Sequence, residues 1–350
     1  MRRVLNGERD MCPCLLQSSM RAKLASILLA WLAISISFAP ASADSGKRGD
    51  LTSGGIIVAD GNAVLVEVHT ATWCPTCADF DDIVPILRRE HNGRIALMNL
   101  HPSDGVDLLS SPASTHRLER LHMNLGRITG TPSIFMESQL TSEGAMSGSQ
   151  FTTELFSAEA NLRDRSDLRM HAFQSGDILT VTIAVEIEST NTFSDTQLTI
   201  LVGNDAPVVD TTGLPVGAGP FDATLHSLLE VELDVSNQTP NSTAFPSNKW
   251  GLSNFQATPT SVSFSAHLLQ NVSLANQTTI VGIHEVVEER IANTSIDTLS
   301  AIAIYQDHLQ STTNSAWIWL VGGCILLGIL ILAEEPIRTI GKKKHLDESE

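Results

Sequence analysis

Cysteine is scarce in this chain, and its placement excludes several architectures at once. Five cysteines occur in 350 residues: Cys12, Cys14, Cys74, Cys77 and Cys324. The first two precede an early apolar run and the last lies inside a late one, so everything between rests on Cys74 and Cys77. A framework of structural disulfides is therefore excluded for the middle of the chain, as is a second C-x-x-C to complete a four-cysteine zinc site. Basic residues are also few, at 22 Lys and Arg against 39 Asp and Glu, for a net charge of −17. That deficit argues against nucleic acid and anionic membrane surfaces as partners, because both need a basic footprint. Aromatics make up 5% of the chain, with one Tyr. No D-x-D-x-D-G calcium loop is present, so neither a bound metal nor a bound cofactor is expected.

A length of 350 residues suits two domains, each able to bury a core. The two ends read as targeting sequence. Arg2, Arg3, Arg9, Arg21 and Lys23 precede an apolar run at 24–39, followed by Pro40 and Ala41-Ser42-Ala43. This is the order of a signal peptide, and the run also suits an uncleaved N-terminal anchor. Both readings carry the downstream chain across a membrane, since the positive charges stay inside. Residues 316–333 form a second run of 18 residues without charge, with Trp317 and Trp319 at one end and Arg338 and Lys342 to Lys344 beyond the other. That pattern predicts a C-terminal transmembrane helix, with 334–350 as a cytoplasmic tail. The expected protein is a single-pass membrane protein whose ectodomain lies outside the cytoplasm. Five N-x-[ST] triplets, at Asn237, Asn241, Asn271, Asn276 and Asn293, suit glycosylation of such an ectodomain.

The first half of the ectodomain, about 54–164, is organised around Trp73-Cys74-Pro75-Thr76-Cys77. Two cysteines three apart make either a redox couple or half of a metal site. Residues 63–69 (AVLVEVH) read as a buried strand, and 78–89 (ADFDDIVPILRR) as an amphipathic helix. A strand at 94–100, a helix at 112–126, a strand at 134–137, a hairpin near Gly144 to Gly148 and a helix at 151–163 come next. Helices alternating on strands predict an α/β class.

Residues 63–163 resemble the thioredoxin family in this order and in two separated motifs: W-C-x-x-C at 73–77 and Gly130-Thr131-Pro132 about 55 residues later. The resemblance implies that Pro132 is cis and packs beside the cysteine pair. It implies that the Thr131 backbone pairs with an extended substrate peptide and that Trp73 shields the site. Cys74 would be the nucleophile and Cys77 the resolving thiol, because a thiolate at a helix N-terminus is stabilised by free amides. Family members often carry a buried acid six residues before the first cysteine. Position 68 is Val here and the nearest acid is Glu67, which either faces the site as a proton acceptor or faces solvent. Asp79, Asp81 and Asp82 read as charges near the helix start that oppose a thiolate. No cofactor is implied beyond the redox-active disulfide Cys74–Cys77.

The second half, 168–305, carries short alternating segments such as 178–188 (ILTVTIAVEIE), with further strands expected at 168–173, 197–202, 228–235, 261–269, 279–287 and 298–305. Turns rich in Gly, Pro, Asn and Ser separate them, which predicts an antiparallel β-sandwich of immunoglobulin-like or fibronectin-like outline. The expected fold class is thus an α/β thioredoxin-like domain, then an antiparallel β-sandwich, then one transmembrane helix. The expected function is that of a membrane-anchored extracytoplasmic thiol–disulfide oxidoreductase acting on cysteine-containing exported proteins, together with a redox partner protein. The alternative is a surface binding or adhesion protein that uses the sandwich, with the first domain as scaffold.

Overall fold

In a computed structural model of the chain, the residues described are 46–306 apart from 49, 53, 126–129, 163–165, 189–190, 206, 208–211, 213, 216–220, 234–238, 271–277 and 291–292. The expected signal segment (1–43), membrane span (316–333) and tail (334–350) lie outside these residues, as do Asn237, Asn271 and Asn276. Among the described residues no helix is long and apolar enough to cross a membrane.

Strands outnumber helices heavily. In order they are β1 (Gly46–Arg48), β2 (Ile56–Val58), β3 (Val64–His69), α1 (Pro75–Asp81), α2 (Val84–Glu90), β4 (Ile95–Leu100), α3 (Pro112–Leu125), β5 (Ser133–Met136), β6 (Gln139–Glu143) and α4 (Gly148–Asn161). Then come β7 (Asp167–Ser175), β8 (Ile178–Glu186), β9 (Thr196–Asn204), β10 (Thr224–Glu232), β11 (Ser242–Phe245), β12 (Trp250–Ala257), β13 (Ser261–Leu269), β14 (Thr278–Arg290) and β15 (Asn293–Tyr305). A single helix expected at 78–89 is two. Pro85 has no amide hydrogen and its ring would strike the carbonyl four residues back, so it sits in the first turn of α2 instead of inside one longer helix.

The expected class is overturned. The protein is mostly β, and its two halves do not close into a separate α/β domain and a separate sandwich. One ten-stranded sheet runs β1-β15-β14-β9-β10-β4-β3-β5-β6, with β11 on β10. It passes from one half of the chain to the other where β4 meets β10 in parallel, at Asn99 and Thr224. A five-stranded sheet, β12-β13-β8-β7-β2, includes β2 from before the cysteine motif. Local periodicity indicates strands but cannot say which strands pair across 100 or more residues, and that pairing decides the class. Two strands, β11 and β12, fall where the sequence shows no clear alternation, β11 within a stretch rich in turn residues.

The large sheet also curls back on itself. Asn62 makes an isolated parallel bridge to Ala301, the Ala63 amide donates to the Ala301 carbonyl, and the Ala301 amide donates to that of Gly61. Strand β15 thereby meets the entry to β3, so β3, β4, β10, β9, β14 and β15 form a ring. Gly61 is needed there: its φ is +63°, and a Cβ would collide with the Ser300 side chain.

This arrangement produces three apolar clusters. Val64, Val66 and Val68 of β3 face α1, α2 and α4 with Phe80, Leu87 and Phe151. Leu65 and Phe135 face the other way, with Leu121 of α3 and Val281, Ala303 and Tyr305 of the second half. A third core lies between the five-stranded sheet and strands β9, β10, β14 and β15, with Ile183, Phe264, Ile200 and Ile302 fully buried or nearly so.

Within the ring, Arg117 of α3 is fully buried between two carboxylates. Its Nε donates to Glu67 Oε1 at 2.6 Å and Nη2 to Glu67 Oε2 at 3.0 Å, while Nη1 donates to Glu285 Oε2 at 2.9 Å. Glu285 Oε1 also accepts from Gln197 at 2.8 Å and from the Thr199 hydroxyl. Burial pushes against the guanidinium, but the two carboxylates outweigh it and hold it charged. On the other face Arg88 of α2 grips Asp205 through two bonds of 2.8 Å and lies 4.8 Å over the Tyr305 ring. The Tyr305 hydroxyl donates to the Ile95 carbonyl at 2.7 Å.

Removing one partner of a buried ion pair strands the other without water, typically at a cost of ~3–5 kcal/mol. Arg117→Ala is therefore expected to lower unfolding stability by about that amount in a urea titration. Adding Glu67→Gln and Glu285→Gln to Arg117→Met should recover much of the loss; failure to recover it would show that the site acts through packing and not through charge.

Candidate functional site

The cysteine pair lies where β3 ends and α1 begins. Cys74 has extended backbone at the helix N-cap, and Pro75 opens the helix, where its missing amide hydrogen costs nothing. The Cys77 amide donates to Cys74 Sγ at 3.1 Å. The two cysteines are joined by a disulfide, with Cα atoms 5.2 Å apart. Cys77 is fully buried, and Cys74 is 4% exposed.

The facing wall is the loop that leads into β5. The Thr131–Pro132 peptide is cis, and the Thr131 carbonyl oxygen lies 3.5 Å from Cys74 Sγ. Ser133 anchors this loop, donating its hydroxyl to the Gly130 carbonyl at 2.7 Å and pairing with His69 across β3 and β5. The structure thus brings Cys74, Cys77, Thr131 and Pro132 together. Trp73 stands beside them, 41% exposed, its indole N–H donating to Asp104 Oδ2 at 2.8 Å.

Glu67 is in neither place that the sequence allows it. Successive side chains of a strand point to opposite faces. Val66 and Val68 take the face toward α1, so Glu67 points into the ring, where Arg117 holds it. It is buried, it does not face solvent, and it is not brought to the cysteines.

The acid behind the pair is Asp81. It lies four residues after Cys77 on α1, so the two share a helix face, and both are buried. The Thr70 hydroxyl donates to its carboxylate, 3.1 Å from Oδ2 and 3.2 Å from Oδ1. Burial pushes its pKa up from 3.8 to about 6, against the opposing pull of His101 and the Thr70 bond. The i,i+4 spacing carries this signal in the sequence, but exposure and burial look alike in a run of three aspartates.

A polar shell continues from there. Asp107 Oδ2 accepts from the Thr72 amide at 2.8 Å and lies 3.1 Å from His101 Nδ1, and Asp107 Oδ1 accepts from the Leu109 amide at 2.8 Å. His69 is buried with neither ring nitrogen hydrogen-bonded. Burial first, then the nearby His122 and His101, pushes its pKa down to about 4, so the ring is neutral. Among the described residues no three His, Cys, Asp or Glu side chains are arranged to hold a metal ion.

Asp81 makes stability depend on pH with a definite sign. Between about pH 4 and pH 6 the folded chain keeps a proton that the unfolded chain has released. Stability therefore falls as pH rises through that window, and the penalty persists at higher pH. Asp81→Asn keeps the Thr70 bond and removes the charge. It is expected to flatten that slope and to raise stability at pH 7 by ~1–3 kcal/mol, read from denaturant melts at pH 4.5 and 7; an unchanged slope would place the proton elsewhere.

No family model matches the chain, and no curated protein matches it. Among solved structures the chain is similar to HBP35 of Porphyromonas gingivalis, at 17% sequence identity, a TM-score of 0.50, and coverage of 72% of this chain and 77% of that one. At that identity the likeness concerns the fold alone.

Proposed function

We propose that the chain is a thiol–disulfide oxidoreductase of the thioredoxin family, acting on cysteines of exported proteins through the Cys74–Cys77 couple. The observation that carries this reading is the disulfide at the start of α1, with the Cys77 amide on Cys74 Sγ and the Thr131 carbonyl and cis Pro132 facing it. An extracytoplasmic location, with retention at a membrane, is supported by the apolar runs at 24–39 and 316–333 and the charges beside them. Two hydrophobic anchors of the site, Phe80 and Val68, hold β3 and α1 in register beneath it.

The chemistry is balanced exchange. A client thiolate attacks Cys74 Sγ, a client–Cys74 bond forms, the Cys74–Cys77 bond breaks, and Cys77 leaves as thiolate and takes a proton. A second client thiolate then attacks the client sulfur and expels Cys74. The client loses two electrons and gains a disulfide, and the pair gains them as two thiols. The reverse sequence reduces a client disulfide, with Cys74 attacking and Cys77 resolving. In that direction Cys77 must lose its proton inside a buried site. Asp81, one helical turn away and with a pKa near 6, is suited to receive it.

Reduced protein should turn over a model disulfide such as insulin, and Cys74→Ser should abolish this. Cys77→Ser should instead accumulate a mixed disulfide with a client, visible as a band lost on reduction. Turnover that persists in Cys74→Ser would sink the assignment. In the chain that keeps Cys77, Asp81→Asn is expected to slow resolution of the mixed disulfide by ~100-fold, the low end for proton transfer by a positioned group, while leaving alkylation of Cys74 little changed.

A further inference from the structure

The surface around the cysteine pair has a chemical character of its own. Three large apolar side chains stand open to solvent there: Trp73 at 41%, Val106 at 63% and Leu108 at 54%. They come from two segments that hydrogen bonds tie into one unit. Asp104 accepts from the Trp73 indole through Oδ2, and from the amides of Val106 and Asp107 through Oδ1, each at 2.8 Å. Asp107 accepts from the Thr72 amide, and Thr72 Oγ1 lies 3.4 Å from the Leu108 amide. The apolar lip is therefore a constructed feature beside the disulfide, since Trp73 directly precedes Cys74.

In the two segments that carry the lip, 70–82 and 101–111, the charge is of one sign. On α1 the exposed residues are Pro75, Thr76 and Asp79, and Asp82 comes next at the cap. At three- and four-residue spacing these form one outward stripe leading from the pair. Asp79 and Asp82 lie roughly 8 and 12 Å along the axis from Cys74, at 1.5 Å per residue. Asp104, exposed and bonded to the Trp73 indole, is held below the usual carboxylate range. A small burial cost acts against this, and the amides of Asp107 and Val106 with the Trp73 indole outweigh it. Neither 70–82 nor 101–111 contains a Lys or Arg. These carboxylates sit about one Debye length from the pair at ordinary ionic strength, close enough to steer a charged ligand.

Resting on the redox reading of the pair, we infer that this lip selects its client: a flexible polypeptide segment in which the reacting cysteine is flanked by an apolar residue and by Lys or Arg. The apolar residue covers Trp73, Val106 and Leu108, and the cations meet Asp79, Asp82 and Asp104. A client segment rich in Asp or Glu is repelled by the same carboxylates.

Three peptides test this, each with one cysteine beside a leucine and capped as a thionitrobenzoate disulfide, with Lys, Gln or Glu as the flanking residues. The reduced full-length chain releases the yellow thiolate from each. At low salt the second-order rate should fall in the order Lys, Gln, Glu, spanning about tenfold or more, and the three should converge near ~0.5 M salt as screening sets in. Asp79→Asn with Asp82→Asn should narrow the Lys-to-Glu ratio, and Val106→Ser with Leu108→Ser should slow all three peptides. Equal rates at low salt, or a faster Glu peptide, overturns the inference. Release from none of the three peptides would instead overturn the redox reading beneath it.

Discussion

Arg117 is the point on which the two halves of this chain depend. Its guanidinium sits in the closed ring of strands with no access to water, between Glu67 from the cysteine-bearing half and Glu285 from the other. A buried charge without partners is intolerable, so β3, α3 and β14 must come together for any of them to be satisfied. Burial raises the Glu67 pKa even against the pull of Arg117. Such networks stabilise little in net terms against an apolar alternative. Their effect is to make one arrangement of strands acceptable and its neighbours costly.

The ring matters to the site because both walls of the site hang from β3. Its end leads into Trp73 and Cys74, and its antiparallel partner β5 begins directly after the cis peptide. The other edge of β3 pairs with β4, which leads into the loop carrying Asp104, Asp107 and the apolar lip. Three separate stretches of chain thus converge on one disulfide because β3 and β4 end, and antiparallel β5 begins, on the same side of the sheet. The buried polar shell of Thr70, Asp81, His101, Asp107 and Thr72 fills the space behind it.

Much of the site is legible in the residues alone. W-C-x-x-C and a distant Gly-Thr-Pro, each in a recognisable strand and helix context, bring Cys74, Cys77, Thr131, Pro132 and Trp73 into view, and the structure places them together. The acid is the exception. Glu67 and Val68 differ only in which face of one strand they take, and that parity is tied to which layer α1 covers. Asp81 is the buried one of three neighbouring aspartates, Asp79, Asp81 and Asp82, and which of them turns inward depends on the face that α1 lays on the sheet. His69 and Asp104 have no signal in sequence, since each gains its meaning from a segment 30 or more residues away.

The sequence by itself determined the cysteine pair, the nearby turn chemistry and most strand positions, because these depend on local spacing: two residues between cysteines, alternation along a strand, proline where a helix must restart. Only the tertiary structure decided that the halves share one curled sheet, that Arg117 sits at its centre, and that the acid behind the cysteines is Asp81. Pairing between distant strands is set by which buried charges and apolar faces can be satisfied together, a condition on the whole chain that no single stretch of residues carries.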